Sequence, residues 1–361
     1  MERALSAPGK LFVSGEYAVL WGGVSRVAAV GPRTAALVRR RSDSQVYVCV
    51  EEGTLAGWTT PRGVRWEREV PPGFSFVART LDEALRLHGR ESVGFDLAVA
   101  PSAVGPNGLK LGMGGSACAT VLAADAVRFV LEEKLDALKV ALVSHAAAQG
   151  GKGSGGDVAA SYAGGVVRYR RYEVAGLIEA SNTGGYRAAL EVAPQVDVWR
   201  LPTPRLALGY AFTGESASTR VLISQVEARM GEAGRRAFVE RSDALGHEIE
   251  VGLGGGDFRA FSEAVREQHA LLQELGPLET EPMRRVLGMA SAYGCVGKQS
   301  GAGGGDGCIL FAPDVEKRAA LLEGIRARGF HTLELEVEPG VRGEAQPDSR
   351  LQAWITAVSS K

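Results

Sequence analysis

The sequence predicts an α+β protein in two domains, and three observations lead there. The chain has 361 residues, long for a single hydrophobic core. Strand-like runs alternate with amphipathic helical runs, and in the second half the strands are separated by helix pairs, which suggests an α+β sandwich with antiparallel strands. The segment L-P-T-P at 201–204 reads as a joint, giving expected domains 1–200 and 201–361.

Taken in order, A-L-S-A-P-G-K-L-F-V-S-G-E-Y suggests a turn at Pro8-Gly9, a strand from Lys10 to Ser14 and another turn at Gly15. Gly22-Gly23 reads as a hairpin turn into more strand. Residues 42–72 alternate apolar and polar positions and read as a hairpin excursion without chemistry. Apolar residues at helical spacing (Phe76, Val77, Leu81, Ala84, Leu85) predict an amphipathic helix from Phe74 to His88, followed by a strand from Phe95 to Ala100. A helix runs from Ser116 to about Lys134, and another over 136–149 with Asp136 as its N-cap. A short helix, Val158 to Tyr162, begins at Asp157, which is placed to cap it. Strand pieces follow at 165–172 and 195–201. The second half opens on the strand L-A-L-G-Y-A-F-T, then helices near 218–232, 235–251, 257–275 and 281–292, the last ended by Gly294. The strand C-I-L-F-A, a basic helix over 314–328 and the strand H-T-L-E-L-E-V close the pattern.

Composition removes several classes of function. The 48 glycines cluster at 105–115, 150–156, 252–256 and 301–307 without a repeat, which excludes collagen-like and low-complexity chains. A net charge of −1 with no long basic run argues against nucleic acid or an anionic membrane as partner. Cys49, Cys118, Cys295 and Cys308 show no metal-ligand spacing and read as buried free thiols. With no signal-peptide core and no long apolar run, a cytoplasmic protein is expected; its expected state is a monomer or homodimer.

The glycine clusters carry the chemistry. In K-L-G-M-G-G-S-A-C-A-T, Gly112, Gly114 and Gly115 let an anion approach the backbone, and the helix behind them offers free N–H groups and the positive end of its dipole. Ser116 adds a hydroxyl where a phosphate-bound magnesium could sit. No G-x-x-x-x-G-K-[ST] is present, so this is not a P-loop. G-M-G-G-S-A fits the dinucleotide pattern G-x-G-x-x-A, but Pro106, Asn107 and Gly108 interrupt the strand that a Rossmann unit needs before it. A second loop, A-Q-G-G-K-G-S-G-G-D, sets Lys152, Ser154 and Asp157 among glycines; it is either functional or a flexible connector.

P-G-K-L-F-V-S-G-E-Y near the start, G-M-G-G-S-A in the middle and S-G-A-G-G-G-D near the end together resemble the three motifs of the GHMP kinases, in order and across essentially the whole chain. K-L-G, A-Q-G-G-K-G-S-G-G-D-V-A-A-S, T-G-E-S-A-S-T and K-Q-S-G-A-G-G-G-D are most similar to the phosphomevalonate kinase branch. The chain departs from the usual G-L-G-S-S-A, with Met113 for leucine and Gly115 for the first serine. S-H-A-A-A-Q lacks the magnesium-binding glutamate of mevalonate kinases, leaving the second metal contact unassigned.

The resemblance implies a GHMP kinase fold: an N-terminal α/β domain with the phosphate loop and a ferredoxin-like C-terminal domain closing over the cleft. It implies ATP and Mg2+ as cofactors and phosphomevalonate as substrate. Lys110, Gly112, Gly114, Gly115, Ser116 and Ala117 would hold ATP, with Gly303 and Gly304 from the second domain and Ser116 at the metal. Lys10, Lys152 and Asp157 would be catalytic, and Lys10, Tyr17, Ser154, Asp157, Ser216, Ser218, Arg220 and Ser300 would touch the acceptor. A phosphate acceptor is largely dianionic at neutral pH, so the lysines should matter more than a base. His145, on an alanine-rich helix, reads as a hydrogen-bonded structural histidine. Mevalonate kinase, mevalonate diphosphate decarboxylase and a non-catalytic ligand sensor stay open as alternatives.

Overall fold

The computed structural model describes the chain except residues 89–92, 107, 133–134, 152, 174–175, 177–178, 181–187, 189–190, 192–197, 203–204, 215–218, 256 and 360–361. The first sheet is built on a long antiparallel pair, β1 (Glu2–Ser14) and β2 (Val24–Arg40). The turn expected at Pro8-Gly9 is instead a register shift inside β1. Pro8 has no N–H to give the ladder, so the pairing slips there, and the Lys10 N–H donates outside the sheet to the Met113 carbonyl at 2.9 Å. The expected tight hairpin at Gly22-Gly23 is a longer connection, a 3-10 turn over Ala18–Trp21 closed by left-handed Gly22 (φ 88°).

The excursion after β2 holds three strands, β3 (Gln45–Val50), β4 (Gly53–Thr60) and β5 (Gly63–Trp66). Helix α1 (Ser75–His88) leads to β6 (Phe95–Val99), which pairs antiparallel with β2 and parallel with β3. Helices α2 (Gly115–Leu131), α3 (Ala137–Ala148) and α4 (Gly156–Ala163) follow. Asp136 caps α3 as expected, accepting from the Lys139 N–H at 3.1 Å. These four helices cover one face of the sheet; Val48, Leu81, Phe95, Leu97, Val121 and Val158 are among the buried residues of that core. Strands β7 (Val166–Arg170) and β8 (Val198–Leu201) extend the sheet from β2.

The second sheet contains β9 (Ala207–Phe212), β10 (Val296–Gln299), β11 (Gly307–Ala312) and β12 (His331–Leu335), all antiparallel, in the order β10-β11-β9-β12. That order is the ferredoxin-like arrangement. Between β9 and β10 lie α5 (Thr219–Arg229), α6 (Glu232–Leu253), α7 (Phe258–Gln273) and α8 (Glu281–Ala292); α9 (Val315–Arg326) joins β11 to β12. Met283, Val286, Leu321 and Ile325 from α8 and α9 bury one face of this sheet. On the other face, Tyr210, Phe212, Ile309 and Phe311 pack with Leu11, Val13, Ala28 and Val30 of the first sheet and Phe261 of α7. The two domains therefore share a hydrophobic core.

The assignment of everything after 200 to the second domain needs correction. Strand β13 (Arg342–Glu344) pairs with β1, and helix α10 (Ser349–Ser359) lays Leu351, Ile355 and Val358 on the first sheet beside Leu37, Cys49 and Ala98. The chain returns because that patch of the first sheet is apolar and the helices α1–α4 do not cover it. All four cysteines are buried free thiols, as expected. No described helix is long and apolar enough to cross a membrane.

Candidate active site

A cavity of about 470 Å³ opens where β1, the glycine loop before α2, the start of α4 and the loop after β10 converge. Lys10, Lys110, Ser116, Ser154 and Asp157 line it from the first domain, and Ser300 from the second. The register shift at Pro8-Gly9 positions Lys10, whose Nζ lies 3.3 Å from the Gly112 carbonyl, which accepts from it. The lysine stem crosses Gly114, where a Cβ would meet Lys10 Cγ at 2.9 Å. Gly114 also takes the left-handed φ of 82° at the N-cap of α2 and offers no capping side chain. The first-turn N–H groups of α2 thus have no side-chain cap, an arrangement that suits an anion.

His145 joins two of the expected site residues from behind. Its Nε2 is 3.2 Å from Ser116 Oγ and 3.9 Å from Asp157 Oδ2. Burial pushes its imidazole below the usual range, against the pull of the Asp157 carboxylate. The ring is therefore neutral near pH 7 and acts as a structural hydrogen-bonding group. Asp157 is not the N-cap of α4: Gly155 is, at φ 84°, because the chain must turn left-handed there. Asp157 sits in the first turn, with Oδ1 accepting from the Val158 N–H at 3.0 Å. Ser154 Oγ accepts from the Gly156 N–H at 3.3 Å.

Other expected residues fall differently. Ala117 faces the core instead of the cavity. Gly303 and Gly304 do not line the cavity; the Gly304 N–H donates to the Leu278 carbonyl at 2.7 Å, and a Cβ on Gly303 would meet that carbonyl at 2.7 Å. Gly301 and Ala302, two residues earlier, line it instead. The Ser300 hydroxyl is committed to β1, accepting from the Phe12 N–H at 2.8 Å, so it ties the domains together. Tyr17 reaches across as well, donating to the Ala302 carbonyl at 2.8 Å; burial and the neighbouring Glu16 raise its phenol. Lys152, Ser216 and Ser218 lie outside the described residues. Arg220 is in the first turn of α5, whose Thr219 and Ile223 line the cavity.

Three site features were not anticipated. Asp306 lines the cavity, and a Cβ on Gly112 would lie 2.6 Å from its Cγ, so Gly112 is needed for the two glycine loops to meet. Glu16 forms a fully buried ion pair with Lys298 of β10. Gln149 lines the cavity with a buried Oε1 that has no hydrogen-bond partner among the described residues. The motif strings contain Glu16, Lys298 and Asp306, but their pairing across the domains is invisible in one dimension. Among the described residues no cluster of three or more His, Cys, Asp or Glu could enclose a metal. The oxygens lining the cavity, among them Ser116 Oγ, the orphaned Gln149 Oε1 and the carboxylates of Asp157 and Asp306, suit a hard cation carried mostly by phosphates.

Comparison with known proteins bears on the same segments. The family model "GHMP kinases N terminal domain" matches residues 75–165, and "GHMP kinases C terminal" matches 247–331. The phosphomevalonate kinase of Streptomyces sp. (strain CL190) is 31% identical over 340 residues, covering 86% of this chain and 89% of that one. The mevalonate kinase of Pyrococcus furiosus is 24% identical over 337 residues, covering 89% and 92%. The structure of Streptococcus pneumoniae phosphomevalonate kinase in complex with phosphomevalonate and AMPPNP superposes with a TM-score of 0.79 at 21% identity, covering 93% of this chain and 99% of that one. The last of these shows the shared fold, and the first extends the likeness to sequence over most of both chains. The chain belongs to the GHMP kinase family.

Proposed function

We propose that this kinase transfers the γ-phosphoryl group of ATP to the phosphate of phosphomevalonate, giving ADP and mevalonate diphosphate. The observation that carries the reading is the convergence on one cavity of the Lys10 ammonium, the uncapped N-terminus of α2 and the Ser154–Asp157 start of α4. Such a site suits two anions that must be brought together. The 31% identity to a phosphomevalonate kinase, against 28% and 24% to two mevalonate kinases, supports the acceptor.

The N–H groups at the start of α2, with Gly112 and Gly114 allowing close approach, would hold the ATP phosphates. Ser116 and Gln149 would hold Mg2+, which supplies charge neutralisation on the phosphate oxygens. Lys10 lies against the glycine loop, its Nζ at the Gly112 carbonyl, and would neutralise the phosphates as they meet; Lys152 is assigned the same work by its motif. Acceptor phosphate is already mostly deprotonated at neutral pH, so Asp157 orients substrate and lysine and is not required to remove a proton.

The test is ADP and carbon dioxide release with Mg-ATP and, separately, mevalonate, phosphomevalonate and mevalonate diphosphate. ADP with phosphomevalonate alone, without carbon dioxide, is the expected result. ADP with mevalonate alone would replace the acceptor and make Asp157 the base. Carbon dioxide release would overturn the kinase assignment in favour of a decarboxylase.

A further inference from the structure

We propose that Ser102 is a nucleotide-binding residue, and that its hydroxyl occupies the place which a side chain at position 115 would otherwise fill. This rests on the kinase reading above. Gly115 is the first residue of α2 and is not among the left-handed glycines of the chain, so its backbone does not require glycine. What excludes a side chain is Ser102. A Cβ on Gly115 would lie 1.8 Å from Ser102 Oγ and 2.5 Å from Ser102 Cβ. Rotation about χ1 could move the oxygen, but Ser102 Cβ is fixed by its own backbone. The two positions therefore admit one side chain between them, and it comes from the loop after β6 instead of from the helix.

A methyl group would fill that space equally well, so the hydroxyl needs its own explanation. Ser102 and Gly115 both line the cavity beside Ser116. Gly114 gives α2 no side-chain cap, and the first bond within the helix is from the Cys118 N–H to the Gly114 carbonyl at 3.1 Å. The N–H groups of residues 115–117 are consequently unclaimed by the helix. Ser102 is half-buried, and its Oγ has no hydrogen-bond partner among the described residues. A hydroxyl beside unclaimed N–H groups at the positive end of a helix can donate to an anion there, and on the kinase reading that anion is a nucleotide phosphate. The loop after β6 thereby becomes part of the nucleotide site.

The experiment measures dissociation constants of Mg-AMPPNP and of phosphomevalonate separately, by calorimetry, for the full chain and three variants. Ser102→Ala keeps the Cβ and removes the hydroxyl; we expect Mg-AMPPNP to bind about tenfold more weakly, with phosphomevalonate changed less than about twofold. Gly115→Ser should weaken Mg-AMPPNP and lower the Tm, because two Cβ atoms then compete for one space. The exchange Ser102→Gly/Gly115→Ser should recover nucleotide affinity to within about threefold of the parent. Ser102→Ala binding Mg-AMPPNP as the parent does would overturn the proposal while leaving the kinase reading intact, as would an exchange variant that folds yet loses the sum of both single effects. Equal losses for both ligands would also overturn it, by marking Ser102 as structural. A parent protein that binds no nucleotide would sink the kinase reading and this proposal with it.

Discussion

At the scale of single residues, charge and burial make separable predictions. If two anions meet in the cavity, Lys10→Met should lower kcat by about 10²–10³-fold, whereas Asp157→Asn should cost about tenfold or less. Steady-state rates of the two variants decide the ranking, and equal collapse would make Asp157 a base. His145 offers a pH test. Its folded pKa lies below the ordinary value of 6.5, so the unfolded chain binds the extra proton first as pH falls. Stability should therefore drop below about pH 6.5, and His269, also lowered by burial, adds in the same direction. Thermal melts between about pH 7 and 5.5 should fall less steeply for His145→Gln than for the parent. That Lys10, Ser116 and Asp157 line one cavity was legible because their glycine-rich neighbours name the motifs. Glu16, Gln149 and Asp306 were not, because what matters there is a buried charge, an orphaned oxygen or a close approach, none of which has a spacing.

At the scale of elements, the glycine loop and its helix form one device. Gly114 is left-handed, and its absent Cβ leaves room for the Lys10 stem. Gly114→Ala should cost about 1–2 kcal/mol of stability through the backbone alone and should also displace Lys10. The expected pattern is a modest loss in urea stability accompanied by a kcat loss far beyond it. Element types were readable from apolar periodicity: α1, α3, α8 and β11 fall close to their expected spans. The turn expected at Pro8-Gly9 failed because a Pro-Gly pair marks either a turn or a bulge, and the long partner strand β2 selects the bulge.

At the scale of the whole molecule, two features hold the halves together. The Glu16–Lys298 pair lies between domains with both side chains buried. Lys298→Met should destabilise by about 3–5 kcal/mol by stranding the Glu16 charge, and Glu16→Gln in the same chain should return part of that. A double-mutant cycle in urea measures the coupling, and simple additivity would show that the pair is not coupled. Ending the chain before Arg342 should uncover the patch now buried by Leu351, Ile355 and Val358. At about 1.5–3 kcal/mol per side chain, that loss is comparable with the stability of a whole domain, so the shortened chain should be insoluble or unfolded by circular dichroism. The sequence by itself determined the α+β class, the element types, the free thiols and the ordered motifs of a GHMP kinase, because these depend on local periodicity and on residue types that recur in fixed strings. Tertiary structure alone decided that the chain's end returns to the first sheet, that Gly301 and Ala302 rather than Gly303 and Gly304 face the cavity, and that Ser102 fills the space beside Gly115. Those outcomes depend on which surfaces meet across long sequence separations, where a difference of one side chain's volume determines what fits.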